Sequence, residues 1–254
     1  MTEPRIAVIG EAFRDRYHIG TATRLSPEAP IPVVTIAGTM ELPGGAANVL
    51  SNLVGLGAKV FNYYAEPTPI KNRLIANGLQ VARWDEQDKV RPLTIPALEP
   101  GLDGIIISDY GKGGFASEVC RLSTKVPFVF VDTKDSPESF NYYPSETFFF
   151  PNQKEYDQHT DDYLSTKHVI RTESEHGMTY LNYSAIKAHQ PALAKDVVSV
   201  CGAGDTAIAA FAYQYCKTQD IEEAMLFASK ACAVVVAKPY TAYATHEEIN
   251  KITT

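Results

Sequence analysis

An aspartate in a glycine-rich turn is the residue of this chain whose neighbours best equip it for chemistry. Residues 198–207, VSVCGAGDTA, run from an apolar stretch through two glycines, Gly202 and Gly204, into an apolar helical pattern. Glycines let the backbone turn sharply and leave amides free at the positive end of a helix. There Asp205 can take a proton from an alcohol while the amides stabilise charge on a transferring phosphoryl group. The pattern predicts a base and an anion site.

A purely structural interpretation of the same turn stays open. Asp is frequent at helix starts, so Asp205 could simply cap a tight turn between an apolar strand at 198–200 and the helix that follows. The motif alone does not separate the two interpretations.

Short apolar runs that end in polar residues indicate the elements that would position this turn. Residues 6–10, 104–109 and 128–132 have the continuous apolar character of strands buried on both faces, and the last two end in Asp. The carboxyl ends of parallel strands are where α/β proteins bind ligands. Helical periodicity covers 204–216 and 221–236. The alternation predicts an α/β fold with a largely parallel sheet covered on both faces.

Other segments predict strands of a different kind. Residues 31–36 alternate β-branched side chains, but the proline among them favours an edge strand or a strand outside the main sheet. Asn77 and Gly78 lie between two strand patterns, at 74–76 and 81–84, which is a strong hairpin signal.

Composition and charge exclude several classes of protein. The 254 residues are 45% apolar and 21% charged, which fits one soluble α/β domain. A net charge of -7 makes nucleic acids and membrane surfaces poor partners, since both are polyanionic. The cysteines Cys120, Cys201, Cys216 and Cys232 lack metal-site spacing and indicate reduced thiols. With no signal-peptide pattern and no apolar window of roughly 18 residues, we expect a cytoplasmic protein without a membrane span.

A series of motifs, all in the same order, resembles the ribokinase-like (PfkB) sugar kinases. The segments are DRY at 15–17 with RLSPEAPIPVV at 24–34, PGGAANV at 43–49, SDYGKG at 108–113, DTK at 132–134, PNQKE at 151–155, EHGMT at 175–179 and GAGDT at 202–206. Within the family, the chain is most similar to the branch that phosphorylates D-glycero-D-manno-heptose 7-phosphate in bacterial lipopolysaccharide precursor synthesis.

The resemblance implies a fold and an organisation. We expect residues 1–254 to form one ribokinase-like kinase domain, a three-layer α/β sandwich with a mostly parallel central sheet. A small β extension, or lid, is expected from about 14–42 and 68–95. After Glu66 the chain lacks roughly one strand–helix unit that relatives carry, so the fold is trimmed at one sheet edge. An exposed edge must be covered or paired, which favours a homodimer or else leaves a weakened site.

The resemblance also implies roles for individual residues. Asp205 is the catalytic base, and the backbone of Gly202, Ala203 and Gly204 forms the anion hole. Asp15, Gly44, Gly45 and Asn48 line the sugar site. Asn152, Thr172, Glu175 and Gly177 bind ATP, and Asn152 and Glu155 position Mg²⁺ through water.

The phosphate already on the acceptor calls for cations, and Lys71, Arg73, Lys112 and Lys134 are the candidates. Each set of residues has a structural alternative. Isolated lysines and an acid such as Asp15 are often simply solvated, and Asn152 could cap a helix that starts after Pro151. Two further departures from the family, Cys201 in place of Thr and Glu11 in place of Asp, bear on hydrogen bonding and on the choice of sugar.

Three functional hypotheses follow. The first is an ATP-dependent kinase acting on the anomeric hydroxyl of D-glycero-D-manno-heptose 7-phosphate. The second is a kinase of another sugar, sugar phosphate or nucleoside. The third is a kinase-like protein that binds ligand and regulates or scaffolds without catalysis.

Overall fold

The computed structural model describes residues 2–87, 89–95, 97–113, 126–134 and 146–253. In these ranges the strands are β1 (Arg5–Gly10), β2 (Ala12–Leu25), β3 (Pro32–Gly45), β4 (Lys59–Tyr64), β5 (Ile70–Ala76), β6 (Leu79–Glu86), β7 (Gly104–Asp109), β8 (Phe128–Thr133), β9 (Thr147–Phe149), β10 (His168–Thr172), β11 (Met178–Asn182) and β12 (Ala185–Gln190). The helices are α1 (Ala46–Gly55), α2 (Gln153–Gln158), α3 (Thr160–Leu164), α4 (Ala203–Thr218), α5 (Ile221–Val236) and α6 (His246–Asn250), with a 3₁₀ helix at Ser174–His176.

The main sheet has eight strands in the order β12-β11-β10-β9-β8-β7-β1-β4. The strands from β4 to β10 pair in parallel, and β11 and β12 add an antiparallel edge. The carboxyl ends of the parallel strands therefore meet at one edge of the sheet, as the sequence predicts for a ligand site.

Two apolar cores cover the two faces of this sheet, because successive side chains of a strand point to opposite sides. In β7, Ile106 packs in one core with residues of α1, α4 and α5. Its neighbours Ile105 and Ile107 pack in the other core, with Tyr156 of α2 and Tyr163 of α3. The arrangement is a three-layer α/β sandwich with a mostly parallel central sheet, and this fold class is confirmed.

A second sheet of four strands, in the order β3-β2-β5-β6, forms the lid. Its β5–β6 hairpin turns at Asn77 and Gly78, both with positive φ, as the type I′ turn requires. This hairpin is confirmed, and so is the placement of the 31–36 segment, within β3, at an edge outside the main sheet. The division of the chain into one domain with a lid at 14–42 and 68–95 stays a prediction.

The strand expected at 198–200 is wrong. The amides of Val198 and Ser199 both donate to the carbonyl of Val236 at the end of α5, so these amides bind no strand. Val200 is 72% exposed, although an apolar run of this kind normally indicates burial. The apolar side chains of Val198 and Val200 are instead exposed, just before the start of α4.

None of the helices in the described ranges is long and apolar enough to cross a bilayer.

Candidate active site

Asp205 lies in the first turn of α4, and its side chain is buried beside the carboxyl ends of the parallel strands. The turn before it depends on Gly202, which has φ +78° and precedes the helix as its N-cap. A β-carbon at Gly202 would also lie 2.5 Å from the amide nitrogen of Asn48. Glycine is therefore required at position 202. The sharp turn that it permits lets α4 begin close to Asn48, with Asp205 in its first turn.

Both carboxylate oxygens of Asp205 accept hydrogen bonds from distant side chains. Asn48 Nδ2 donates to Oδ2 at 2.9 Å, and the Tyr110 hydroxyl donates to Oδ1 at 2.7 Å. Burial raises the pKa of Asp205, while these two hydrogen bonds work in the opposite direction. The structural alternative, in which Asp205 caps its own helix, is wrong, since its oxygens bind side chains of α1 and of the turn after β7.

Asn52 explains why Asn48 presents its NH₂ group to Asp205. One turn later on α1, Asn52 Nδ2 donates to the Asn48 carbonyl at 3.0 Å and approaches Asn48 Oδ1 at 3.4 Å. With its oxygen facing Asn52, the Asn48 amide directs its nitrogen at Asp205. Both side chains are buried, and the i, i+4 spacing on one helix is the sequence signal that identifies Asn52.

A cavity of about 150 Å³ opens in front of Asp205. Its lining comprises Tyr110, Asp132, Lys134, Phe150, Asn152, Glu155, Thr172, Val200, Gly202, Ala203, Gly204 and Asp205. The structure thus brings the glycine-rich turn together with residues from β8, α2 and β10, as the motif order predicts. A methyl group at Gly204 would meet no atom of the described residues within 4 Å, so the helix start is open here.

Lys134 connects two carboxylates on the far side of this cavity. Its ammonium lies 3.3 Å from Asp132 Oδ1 and 2.5 Å from Glu155 Oε1. Burial works to lower the pKa of Lys134, but the two carboxylates raise it overall. Burial raises the pKa of Asp132 to about 7, against the opposing effect of Lys134. The cluster is a charged group in the cavity lining. Its two carboxylate side chains are only 12% and 14% exposed, whereas the side chain of Lys134 is 35% exposed.

Asn152 and Glu155 form a capping box at the start of α2. Asn152 Oδ1 accepts from the Glu155 amide at 2.9 Å, and Glu155 Oε2 accepts from the Asn152 amide at 3.0 Å. The structural interpretation of Asn152 as a helix cap is therefore correct, and both side chains also line the cavity. The two roles are compatible, because carboxylate and amide oxygens have more than one lone pair.

The sugar-site candidates lie where the lid meets α1. Arg73 of β5 donates to Asp15 Oδ1 of β2 at 2.5 Å, and both side chains are buried. Gly44 and Gly45 end β3, and a β-carbon at Gly44 would collide with the Asp15 carboxylate. The solvated-acid alternative for Asp15 is wrong. Arg73 is already paired with Asp15, which leaves it fewer donors for a phosphate than its sequence position indicates.

Lys71 lies over aromatic rings near Asp205. Its ammonium lies 3.5 Å from the ring centroid of Phe13 and 4.8 Å from that of Tyr110. Burial lowers the pKa of Lys71, while the Asp15 and Asp205 carboxylates oppose this. The cation therefore faces the site and is not a solvated surface lysine.

Arg83 adds a cation that the sequence did not single out. It lies on β6 directly opposite Arg73, and its guanidinium donates to Asp85 Oδ1 and Oδ2 at 3.1 and 2.9 Å. The hydrogen bond from Arg83 lowers the pKa of Asp85, and Lys71 and Lys112 contribute to the same shift. Strand periodicity alone could have found it, since Arg83 and Asp85 share one face of β6.

Glu11 and Tyr110 are the other residues whose role was missed. Glu11 is completely buried and accepts the amides of Tyr110 and Lys112, so it orders the turn after β7 in addition to whatever it contributes to sugar choice. Tyr110 lies inside the SDYGKG motif. Its hydroxyl contacts Asp205, which is 95 residues away in the sequence, and no pattern of neighbouring residues predicts such a contact.

Two nucleotide candidates lie outside the cavity. Thr172 lines it, whereas Glu175 and Gly177 do not. Glu175 lies on the 3₁₀ helix with its side chain 81% exposed, and Gly177 follows that helix where β11 begins. Their assignment to ATP stays a prediction. Within the described residues, no group of three or more His, Cys, Asp or Glu side chains forms a direct metal site.

A family model of the pfkB family carbohydrate kinases matches residues 116–248, about half of the chain. Among curated relatives, the bifunctional protein HldE of a Nitratiruptor species is 32% identical over 305 residues, covering 98% of this chain and 65% of the relative. The bifunctional protein HldE of Vibrio parahaemolyticus is 31% identical over 288 residues, covering 92% of this chain and 60% of the relative.

The chain thus spans somewhat less than two thirds of the length of these relatives. Both alignments are longer than the chain's own 254 residues, so they contain positions that this chain lacks. The loss of one strand–helix unit after Glu66 stays a prediction.

Solved structures agree on the fold. A Methanocaldococcus jannaschii nucleoside kinase superposes with a TM-score of 0.73 at 18% identity, covering 98% of this chain and 97% of the other. An Arabidopsis thaliana ribokinase, complexed with ribose and ATP, gives 0.69 at 15% identity, covering 99% of each chain. With the family match over half of its length, the chain belongs to the pfkB family of carbohydrate kinases.

Proposed function

We propose that this protein is an ATP-dependent sugar kinase that phosphorylates the anomeric hydroxyl of D-glycero-D-manno-heptose 7-phosphate. The observation that carries the proposal is the buried carboxylate of Asp205, which faces a cavity at a helix start and is oriented by Asn48 and Tyr110. The family match supports sugar phosphorylation, and the similarity to bifunctional HldE proteins supports the choice of a heptose phosphate.

In the proposed reaction, Asp205 takes the proton of the acceptor hydroxyl as its oxygen attacks the γ-phosphorus of ATP. The bond between that phosphorus and the β,γ-bridging oxygen breaks, and ADP leaves. The amides of Gly202, Ala203 and Gly204 lie at the positive end of α4, which stabilises charge on the transferring group. The Ala203 amide donates to the Val200 carbonyl at 3.2 Å and would have to exchange that bond to take part. A carboxyl with a raised pKa is a better proton acceptor than an ordinary surface Asp, which suits this role.

The charged cluster opposite Asp205 suits the nucleotide phosphates. The resemblance assigned Lys134 to the phosphate of the acceptor. Because Lys134 lines the cavity with Thr172, we propose instead that its ammonium binds the nucleotide phosphates. Asn152 and Glu155 fit Mg²⁺ as partners of its bound waters, because each keeps oxygen lone pairs beside the cavity after the capping box is formed. Bound with ATP, Mg²⁺ neutralises charge on the phosphates. Glu175 and Gly177 are proposed to contact the nucleotide outside the cavity.

The lid supplies cations for the phosphate already present on the acceptor. Lys71, Arg73 and Arg83 lie on its β5–β6 hairpin, and Lys112 contributes from the turn after β7. Asp15 and Asn48, with the glycines at the end of β3, are proposed to bind the sugar hydroxyls. Cations on the lid favour an anionic sugar over a neutral one, although Arg73 and Arg83 already bind Asp15 and Asp85.

A substrate panel tests the proposal. ADP release is measured with D-glycero-D-manno-heptose 7-phosphate, the unphosphorylated heptose, hexoses, ribose and nucleosides. We expect the highest kcat/KM with the heptose 7-phosphate, and ³¹P NMR of the product should show a new phosphate on the anomeric carbon. Faster turnover of unphosphorylated hexoses would identify another sugar kinase. No ADP with any acceptor, together with nucleotide binding by calorimetry, would identify a binding protein.

The homodimer and the cytoplasmic location stay predictions. Light scattering on the purified chain tests the first.

A further inference from the structure

The turn that follows β7 is tied down by two carboxylates. Glu11, which has no exposed surface, accepts the amides of Tyr110 at 2.9 Å and of Lys112 at 3.0 Å. Asp109 Oδ1 accepts the amide of Gly111 between them, also at 2.9 Å. The backbone amides of Tyr110, Gly111 and Lys112 are therefore all hydrogen-bonded to carboxylates. These bonds fix the backbone from which the Tyr110 side chain extends.

The ring of Tyr110 is fixed as well. It meets the ring of Phe13 edge-on, with the centroids 4.8 Å apart. The ammonium groups of Lys71 and Lys134 lie 4.8 and 5.4 Å from its centroid. Such contacts restrict rotation of the ring. Its hydroxyl therefore reaches Asp205 Oδ1 in a defined direction.

We propose that Tyr110 is a positioning residue for phosphoryl transfer, whose hydroxyl orients the Asp205 carboxylate and keeps it ionised as the acceptor alcohol arrives. The inference rests on the proposed function, since it takes Asp205 as the base. It assigns to the turn after β7 a part in the chemistry, beyond shaping the pocket.

The chemical type of the partner matters. A cation bonded directly to Asp205 would keep it ionised but would make it a weak proton acceptor. A hydroxyl and an amide stabilise the ionised form with less loss of basicity. Burial raises the pKa of Tyr110 well above its usual value, so the phenol keeps its proton and stays a donor.

The charged and titratable groups that face this part of the site come from several elements. Lys71 of β5 and Asp15 of β2 act on Asp205 with opposite signs, and Asp132 of β8 is a further carboxylate near Tyr110. From α1 the contact is the neutral amide of Asn48. Removing the Tyr110 hydroxyl deletes a donor while leaving all these charges in place, so the pKa of Asp205 should rise.

Tyr110→Phe tests the inference, because it keeps the ring and its packing. On the best acceptor of the panel, we expect the acid limb of the kcat profile to move up by about one pH unit, a shift typical of one lost hydrogen bond to a carboxylate. Turnover should fall about tenfold below that limb and by a smaller factor at high pH, where only the orienting effect is lost, with the KM for ATP unchanged. A loss of turnover that is equal at all pH values, or an unchanged profile, would overturn the inference.

Tyr64→Phe is the matched control. Its hydroxyl donates to the Ala46 carbonyl at 3.5 Å near the same site and does not contact Asp205. This variant should keep the wild-type profile, and if it shifted the acid limb equally, the effect would not belong to Tyr110.

A second measurement separates this inference from the proposed function. The Asp205 carboxyl is titrated by ¹³C NMR, with Asp205→Asn identifying the signal, and this needs no turnover. If no acceptor is phosphorylated, the proposed function fails, yet a raised Asp205 midpoint in Tyr110→Phe would still support the positioning role. If Asp205→Asn abolishes activity but Tyr110→Phe leaves the midpoint unchanged, the positioning role alone fails.

Discussion

In one half of the cavity Asp205 is held by neutral donors, Asn48 and Tyr110, whereas in the other half Asp132 and Glu155 share the ammonium of Lys134. We call these the base half and the charged half. Both contain a buried carboxylate, Asp205 in one and Asp132 in the other, near the carboxyl ends of the parallel strands. They differ in whether a full positive charge is in direct contact.

That difference suits two chemical roles, proton acceptance and phosphate binding. A proton acceptor needs a pKa near the working pH, and neutral hydrogen bonds orient a carboxylate without the large downward shift that an adjacent cation causes. A phosphate-binding surface needs mobile or exchangeable positive charge, and an ammonium on two carboxylates can exchange part of that contact for phosphate oxygens. The comparison therefore predicts that substitutions in the two halves affect different kinetic quantities.

The largest effect is expected in the base half. Asp205→Asn should lower kcat by about three orders of magnitude, within the roughly 10²–10⁴-fold range of general base catalysis, because the amide cannot accept the proton. ATP binding, measured by calorimetry, should change little. Normal turnover in this variant would show that the base lies elsewhere, and the comparison would lose its meaning.

Lys134→Met tests the charged half. It removes the ammonium and leaves Asp132 and Glu155 near each other without their shared cation, so we expect the kcat/KM for ATP to fall by about 100-fold, of the order of one lost charge-assisted contact of about 3 kcal/mol. The acid limb of the kcat profile, in contrast, should move less than in Tyr110→Phe.

Lys167→Met is the matched control for this lysine. Lys167 makes an ion pair of 2.6 Å with Glu146 outside the cavity lining. The two lysine side chains are about equally exposed, but Glu146 is more exposed than Asp132 or Glu155. Steady-state kinetics should be unchanged, since exposed pairs contribute little. An equal loss of kcat/KM in both lysine variants would mean that Lys134 acts through stability and not through the nucleotide.

The sequence predicts much of this fold because its signals are local. Continuous apolar runs mark the parallel strands, and Asn77 with Gly78 marks a hairpin whose positive φ values the structure confirms. The segment 198–200 misled for the same reason: three residues with strand-like side chains say nothing about whether a neighbouring strand is present to bind their amides. In this structure the amides of Val198 and Ser199 bind the carbonyl of Val236 at the end of α5 and not a neighbouring strand.

The site was predicted less completely, because its decisive contacts are long-range. The motifs placed Asp205, Asn152 and Lys134 around one cavity. They could not show that the Tyr110 hydroxyl donates to Asp205, or that Glu11 is buried and accepts the Tyr110 amide. A carboxylate with no exposed surface and a solvated one look alike in a sequence, and only packing separates them.

Substitutions of Gly202 and Gly204, in the turn before Asp205, are expected to change the free energy of unfolding in opposite directions. Gly202→Ala should lower the free energy of unfolding by about 1–2 kcal/mol for the left-handed backbone alone, and by more because the methyl would displace Asn48. Gly204→Ala should raise it by roughly 0.5–1 kcal/mol, since Gly204 is helical and its surroundings are open. Urea denaturation measures both.

Turnover is expected to fall in both glycine variants for different reasons. Gly202→Ala displaces the side-chain amide of Asn48, which donates to Asp205. Gly204→Ala puts a methyl group at the start of α4, where we propose that the phosphates bind. A Gly204→Ala enzyme with both greater stability and full activity would show that this surface is not used.

The smallest effect concerns the pH dependence of stability in the charged half. Burial raises the pKa of Asp132 to about 7 in the folded protein, well above its ordinary value near 4. Between these pH values the unfolded chain loses the proton and the folded chain keeps it, so the stability that Asp132 contributes at low pH is lost as the pH rises through 7. Relative to wild type, Asp132→Asn should therefore become steadily more stable from pH 4.5 to 7.5 in urea titrations.

Asp85→Asn provides the contrasting case, because the hydrogen bond from Arg83 lowers the pKa of Asp85. The stability that Asp85 contributes is present above its ordinary pKa and is lost only as the pH falls below it, so its difference from wild type should stay flat between pH 4.5 and 7.5. If Asp132→Asn behaved in the same flat way, Lys134 would outweigh burial at Asp132. The charged half would then be a fully ionised network at neutral pH, and the contrast with the base half would be even larger.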